Sequence, residues 1–101
     1  MLNPKVLAAK ACIGDPVRNL KGEHLGYIKD ILFDRESIEV SFAVLDYNHG
    51  EKEFAVPYPL LNFIGEEGFF ELNIQVKELV NCNTFLNYQF KNYYQLNFSN
   101  Q

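Results

Sequence analysis

The residues whose types could do chemistry are few, and their spacing argues against most of it. His24 and His49 are the only histidines, and both fall in expected turns. A metal centre needs three or four ligands gathered at short range, and nothing in this spacing gathers them. Solvent-exposed turn positions are the expectation. Asp30 and Asp34 stand four apart on one apolar run, where a carboxylate pair can in principle exchange protons with a substrate. A structural role is expected instead, with Asp34 accepting backbone N–H groups from the turn that follows it. Cys12 and Cys82 have no C-x-x-C spacing and no histidine or basic neighbour to lower a thiol pKa. They read as two thiols in a reducing compartment, with a disulfide between them as the alternative. Gly22-x-x-x-Gly26 leads into a strand and not a helix, so it is no phosphate loop. No Ser, His and Asp arrangement stands out. The expectation is no catalytic residue, no metal and no cofactor.

The bulk properties narrow the field further. At 101 residues the chain makes one domain. A hydrophobic content of 48%, with nine Phe, six Tyr and no Trp, excludes general disorder and predicts an aromatic and aliphatic core. The net charge of −4 and nine scattered Lys and Arg argue against a phosphate backbone as ligand. Lys5 and Lys10 interrupt the first residues, so no signal peptide is expected. No run approaches the ~18 apolar residues that span a bilayer. A soluble protein of a bacterial-type cytoplasm is the expectation.

The elements that must carry these residues are short strands. Residues 1–10 form a lead-in, with Asn3-Pro4 resembling a helix start. Ala11-Cys12-Ile13 and Val17-Arg18-Asn19-Leu20 predict two short strands around Gly14-Asp15-Pro16. Leu25 to Asp34 is apolar on both faces, which predicts burial on two sides or a face-switching bulge, with Gly26 the place for a bend. In the next strand Ile38, Val40, Phe42 and Val44 alternate with Glu39, Ser41 and Ala43, which predicts that the first set faces the core. Asn48 and Gly50 suit positive φ in the turn that follows. Phe54 and Val56 point inward on the return strand, which ends at Pro57 and Pro59. Glu66-Glu67-Gly68 marks a hairpin turn, and Phe70, Leu72 and Ile74 alternate after it. Val76, Leu79 and Val80 predict a short helix over 76–81. About six short strands with tight turns favour a small β-barrel.

Gly22-Glu-His-Leu-Gly26, the run into Ile31-Leu-Phe-Asp34, Phe42-Ala-Val-Leu45 and Phe54-Ala-Val-Pro-Tyr58 occur in an order that resembles the PRC-barrel family. The likeness spans residues 11–81. It implies a mainly β fold, a six-stranded PRC-type barrel, used as a non-enzymatic interaction or assembly module. By the same analogy, an accessory role in RNA processing or ribosome assembly is the alternative.

Residues 82–101 form an extension rich in Asn and aromatic residues, with Lys91 its only charge from Thr84 onward. Leu86, Tyr88 and Phe90 alternate, as do Tyr94, Leu96 and Phe98, which predicts a β-hairpin looping through Lys91-Asn92-Tyr93. It either closes the domain's own sheet or pairs with an edge of another copy. The second reading is preferred, which makes a homo-oligomer, most simply a dimer, the expected partner state. Tyr88, Phe90, Tyr94 and Phe98 are the candidate interface, with Pro57 and Tyr58 beside them.

Overall fold

Between Pro16 and Gln95 the chain lays down eight strands that join in one sheet. The computed structural model describes residues 9–88 and 91–96. Helix α1 (Ala9–Cys12) leads into β1 (Pro16–Arg18), β2 (His24–Phe33), β3 (Val40–Tyr47) and β4 (Lys52–Pro57). A 3-10 turn at Tyr58–Leu60 precedes β5 (Asn62–Ile64) and β6 (Phe69–Glu71). Helix α2 (Val76–Asn81), β7 (Phe85–Tyr88) and β8 (Lys91–Gln95) complete the described chain. The order across the sheet is β5-β6-β1-β2-β3-β4-β8-β7. Two pairings are parallel, β1 with β6 and β4 with β8; the others are antiparallel.

The six-stranded barrel expected from the sequence is therefore corrected to an open, eight-stranded sheet. The extension supplies the two further strands, and β8 occupies the edge of β4. The expected helix over 76–81 and the C-terminal hairpin are both present. The loop expected at Lys91-Asn92-Tyr93 is strand instead: Tyr88 pairs with Lys91, Asn87 with Asn92 and Leu86 with Tyr93. The strand expected over Ala11-Cys12-Ile13 begins as the end of α1. Alanine favours helix, and Gly14 at φ 93 turns the chain so that its N–H donates to the Ile28 carbonyl at 2.7 Å.

One face of the sheet curls around a core in which Val17, Leu25, Phe54, Phe70, Leu72 and Leu79 are almost wholly buried. Helix α2 closes one end of that core with Leu79. A six-residue helix has little stability of its own. Lys52 supplies what is missing, its ammonium donating to the carbonyls of Leu79, Val80 and Cys82 at 3.3, 2.7 and 3.1 Å. A cation there complements the helix C-terminus. The buried Asn19 organises the β1–β2 loop: its Oδ1 accepts the N–H groups of Lys21 and Glu23, and its Nδ2 donates to Glu23 Oε1.

Strand β2 switches faces by bulges, as its two-sided apolar pattern predicts. Val17 pairs with Gly26 but Arg18 with His24, so Leu25 is an extra residue. Ile28 pairs with Leu45 but Asp30 with Val44, so Lys29 is another. Each bulge resets the period of two. Leu25, Ile28 and Ile31, three apart, therefore all meet the main core. Gly26, at φ 155, lies close against β3, and a Cβ there would collide with the Asp46 carbonyl oxygen.

Gly26→Ala is thus expected to destabilise the protein by about 3 kcal/mol or more, because backbone must move. Gly22→Ala, at φ 83 in open space, should cost only about 1 kcal/mol. Denaturant unfolding of both variants checks the difference.

Candidate functional site

Beyond Leu32 the β2–β3 hairpin runs past the core and presents apolar side chains to solvent. Phe33 is 59% exposed, Ile38 71% and Val40 40%, and Ile13 beside them is 44% exposed. The sequence pattern assigns Ile38 and Val40 to the buried face. The alternation is real, but the main core takes Ala43 and Leu45, on the opposite face of β3. The face with Phe42 and Val44 meets a second cluster built from Ala55, Leu86, Tyr88 and Tyr93. That cover stops short of Val40.

The turn between the two strands is tightly held. Asp34 Oδ1 accepts the N–H groups of Glu36 and Ser37 at 2.8 and 3.0 Å, the role expected from the sequence. Those two bonds, Ser37 first, hold its carboxyl below the usual carboxylate range. The Asp34 carbonyl accepts the Ile38 N–H at 2.8 Å, and Asp34 N–H donates to the Glu39 carbonyl at 2.8 Å. Ile38 is thereby fixed in the left-handed region at φ 59. That conformation costs a β-branched residue about 1–2 kcal/mol. An exposed isoleucine in a strained turn is a poor choice for stability alone.

Two adjoining grooves flank these residues. One, of about 590 Å³, runs from Ile31 and Phe33 to Tyr88 and Tyr93 and is edged by Arg35 and Lys91. The other, of about 520 Å³, is lined by Ile13, Ile31, Phe33, Ile38 and Val40 and edged by Lys10. Asp30 borders both. The rim sets Lys10, Arg35 and Lys91 against Asp30, on a chain whose net charge is −4. Lys10 and Arg35 make no ion pair among the described residues.

Lys91 is engaged with Glu53, which joins three strands. Glu53 on β4 pairs with Lys29 on β2 and with Lys91 on β8, the latter at 3.0 Å from Oε1. Oε1 is buried and has no well-aligned donor, so its contact with Lys91 is Coulombic. Burial pushes the Glu53 carboxyl up, but Lys29 and Lys91 outweigh it and the net shift is downward. The same contact, through its hydrogen bond and then its charge, raises the Lys29 ammonium.

The residues singled out from the sequence do not form one surface. Tyr88 lies in the outer cluster, its ring 5.3 Å from Phe42 and 6.4 Å from Tyr93. Tyr94 faces the main core, between Phe54 at 5.6 Å and Phe85 at 4.5 Å, with the Lys52 ammonium 4.9 Å from its ring. Pro57 ends β4 opposite Phe42, and Tyr58 opens the 3-10 turn; both are half-buried. Phe90 and Phe98 lie outside the described residues. Sequence reasoning missed Phe33 and Ile38 as surface residues and Tyr93 as a buried one. His24 and His49, far apart in sequence, line one small hollow with Asp46. Among the described residues no three His, Cys, Asp or Glu side chains are placed to hold a metal ion. Cys82 donates its thiol to the Gln95 carbonyl at 2.8 Å. Cys12 is buried, and burial followed by the charge of Asp15 pushes its thiol pKa up, against nucleophilic use. Among the described residues no helix is long and apolar enough to cross a membrane.

Compared with known proteins, residues 4–79 match the family model of the PRC-barrel domain. No curated protein matches the chain.

The Glu53 contacts predict a pH window. A depressed carboxylate pKa stabilises the fold above its unfolded value, and this is lost as pH falls through the folded value. The raised Lys29 pKa acts in the other direction, its contribution lost as pH rises through the folded value. The full contribution is expected between about pH 5 and pH 10. Glu53→Gln should lower stability by about 1 kcal/mol at neutral pH and flatten the acid limb of a melting-temperature profile. An unchanged acid limb contradicts the role assigned to the pair.

Proposed function

The chain belongs to the PRC-barrel family, and from that premise we propose that it is a non-catalytic assembly module that docks another protein. Its contact surface is the projecting end of β2 and β3. One observation carries this reading: Phe33, Ile38 and Val40 stand exposed together over an apolar groove, with Ile38 held in a strained conformation. Contiguous exposed apolar surface on a soluble domain marks an interaction site. Strain that persists at such a place is the usual companion of function.

The rim says what kind of segment fits. Lys10 and Arg35, neither in an ion pair among the described residues, outnumber Asp30 at the edge of the apolar floor, and this favours a partner segment that is apolar with acidic residues beside it. A phosphate backbone also carries negative charge, but an acidic chain with an apolar, concave floor favours a protein over RNA.

Selection from a random peptide library tests the reading. Enriched peptides are expected to be apolar with Asp or Glu alongside. They should bind Ile38→Asn and Arg35→Glu at least about tenfold more weakly, the loss of one good contact. Asn tolerates the left-handed conformation, so Ile38→Asn should fold as stably as the parent or more so. Peptides that bind both variants as well as the parent overturn the proposal.

A further inference from the structure

Among the described residues, the far edge of the sheet carries backbone groups that face no partner. β7 ends the sheet among the described residues and pairs there only with β8. The Thr84 carbonyl accepts the Gln95 N–H at 2.7 Å. Backbone groups alternate in direction along a strand, so Leu86 and Tyr88 also turn theirs toward β8. The N–H and C=O of Phe85 and Asn87 therefore point outward, and among the described residues nothing pairs with them.

Open edges normally carry a guard against pairing, such as a charge, a proline, a bulge or extreme shortness. The opposite edge has one: β5 is three residues long and runs into Glu66 and Glu67. β7 has none. Phe85-Leu-Asn-Tyr88 has no charge and no proline, and its register with β8 is unbroken.

We propose that β7 pairs antiparallel with β7 of a second copy of this chain, about a two-fold axis at Leu86. The groove over Ile38 and Val40 has no β7 residue in its lining, although the adjoining groove reaches Tyr88 at the end of β7, and pairing of the β7 edge goes beyond that reading. Geometry selects the register. A two-fold axis perpendicular to the sheet keeps each copy's inner face on the same side. Registers that set a residue opposite itself then satisfy the alternation of the strand, and 86 opposite 86 and 87 opposite 87 are the central ones. The first sets Phe85 of one copy opposite Asn87 of the other, so all of the outward groups on these two residues find partners. Leu86 then meets Leu86 across the axis, and the outer cluster of Val44, Ala55 and Tyr93 continues from one copy into the next.

A second copy fits this edge better than an unrelated strand for two reasons. The symmetric pairing closes both open edges at once, so it stops at a dimer and does not grow. Two chains of net charge −4 would also meet along a strand that carries no charge of its own, which keeps repulsion low.

The test combines solution mass with two substitutions. The parent chain should weigh as a dimer over a dilution series, and Ile38→Asn should remain one. Asn87→Pro removes an outward N–H that β8 does not use, a position where an edge strand accepts proline. It should give a monomer that still unfolds cooperatively, at a melting temperature that no longer depends on protein concentration. Leu86→Cys should form a disulfide-linked dimer on mild oxidation, because opposed residues of a non-hydrogen-bonded pair lie within disulfide reach. A parent chain that is monomeric throughout overturns the proposal, as does a Leu86→Cys chain that stays unlinked under oxidation. A dimer that survives Asn87→Pro overturns it too. A dimer abolished by Ile38→Asn would instead assign self-association to the β2–β3 surface and equally contradict the β7 pairing.

Discussion

The structure depends on one constraint: β3 and β4 are apolar on both faces, so the fold must cover both. Ala43, Leu45, Phe54 and Val56 point into the main core, while Val44 and Ala55 point the other way and are just as buried. An antiparallel pair with one wet face would not need this. The second cover is the C-terminal hairpin. β8 adds in parallel to β4 through Phe54 with Tyr94 and Ala55 with Gln95. From that position Tyr93 packs over the outer face and Leu96 enters the main core. Glu53 reinforces the seam by drawing Lys91 on β8 and Lys29 on β2 toward one carboxylate.

The same constraint explains the exposed surface. β2 and β3 are longer than the strands that cover them, at ten and eight residues against the four and five of β7 and β8. The two-sided apolar pattern continues past the end of the cover, and Phe33, Ile38 and Val40 are what remains in water. The Asp34 turn does not hide them. It holds Ile38 outward at the cost of a left-handed backbone. A domain selected only for stability would place Asn or Gly there.

Much of this arrangement was legible in the sequence, and the failures share a cause. The two-faced pattern of Leu25 to Asp34 allowed a bulge or burial on both sides, Gly26 marked the irregularity that lies beside it, and Val76, Leu79 and Val80 announced α2. Alternation in β3 was read correctly as a period, but alternation does not say which face looks inward. The unbroken run Ala43-Val44-Leu45 was the sign that both do. The tail's strand periodicity was visible too. Its loop was misplaced because Lys91-Asn92-Tyr93 looks like turn chemistry, whereas Tyr93 is held in a strand by the outer face it covers. Long-range facts were beyond reach: the parallel seam of β8 on β4, the Lys52 cap on α2 and the Glu53 contacts each join residues at least 24 positions apart.

If the hairpin is the necessary second cover, the domain cannot keep its stability without it. The direct measurement is the unfolding free energy of the full chain against one ending at Asn83. Removing Tyr93, Tyr94 and Leu96 uncovers Val44, Ala55 and part of the main core. Each large buried side chain contributes about 2–4 kcal/mol, against a total of about 5–15 kcal/mol for a domain of this kind. The account predicts a shortened chain that is largely unfolded, or folded with most of its stability lost. A shortened chain as stable as the full one would contradict it, since β3 and β4 would then tolerate a bare outer face.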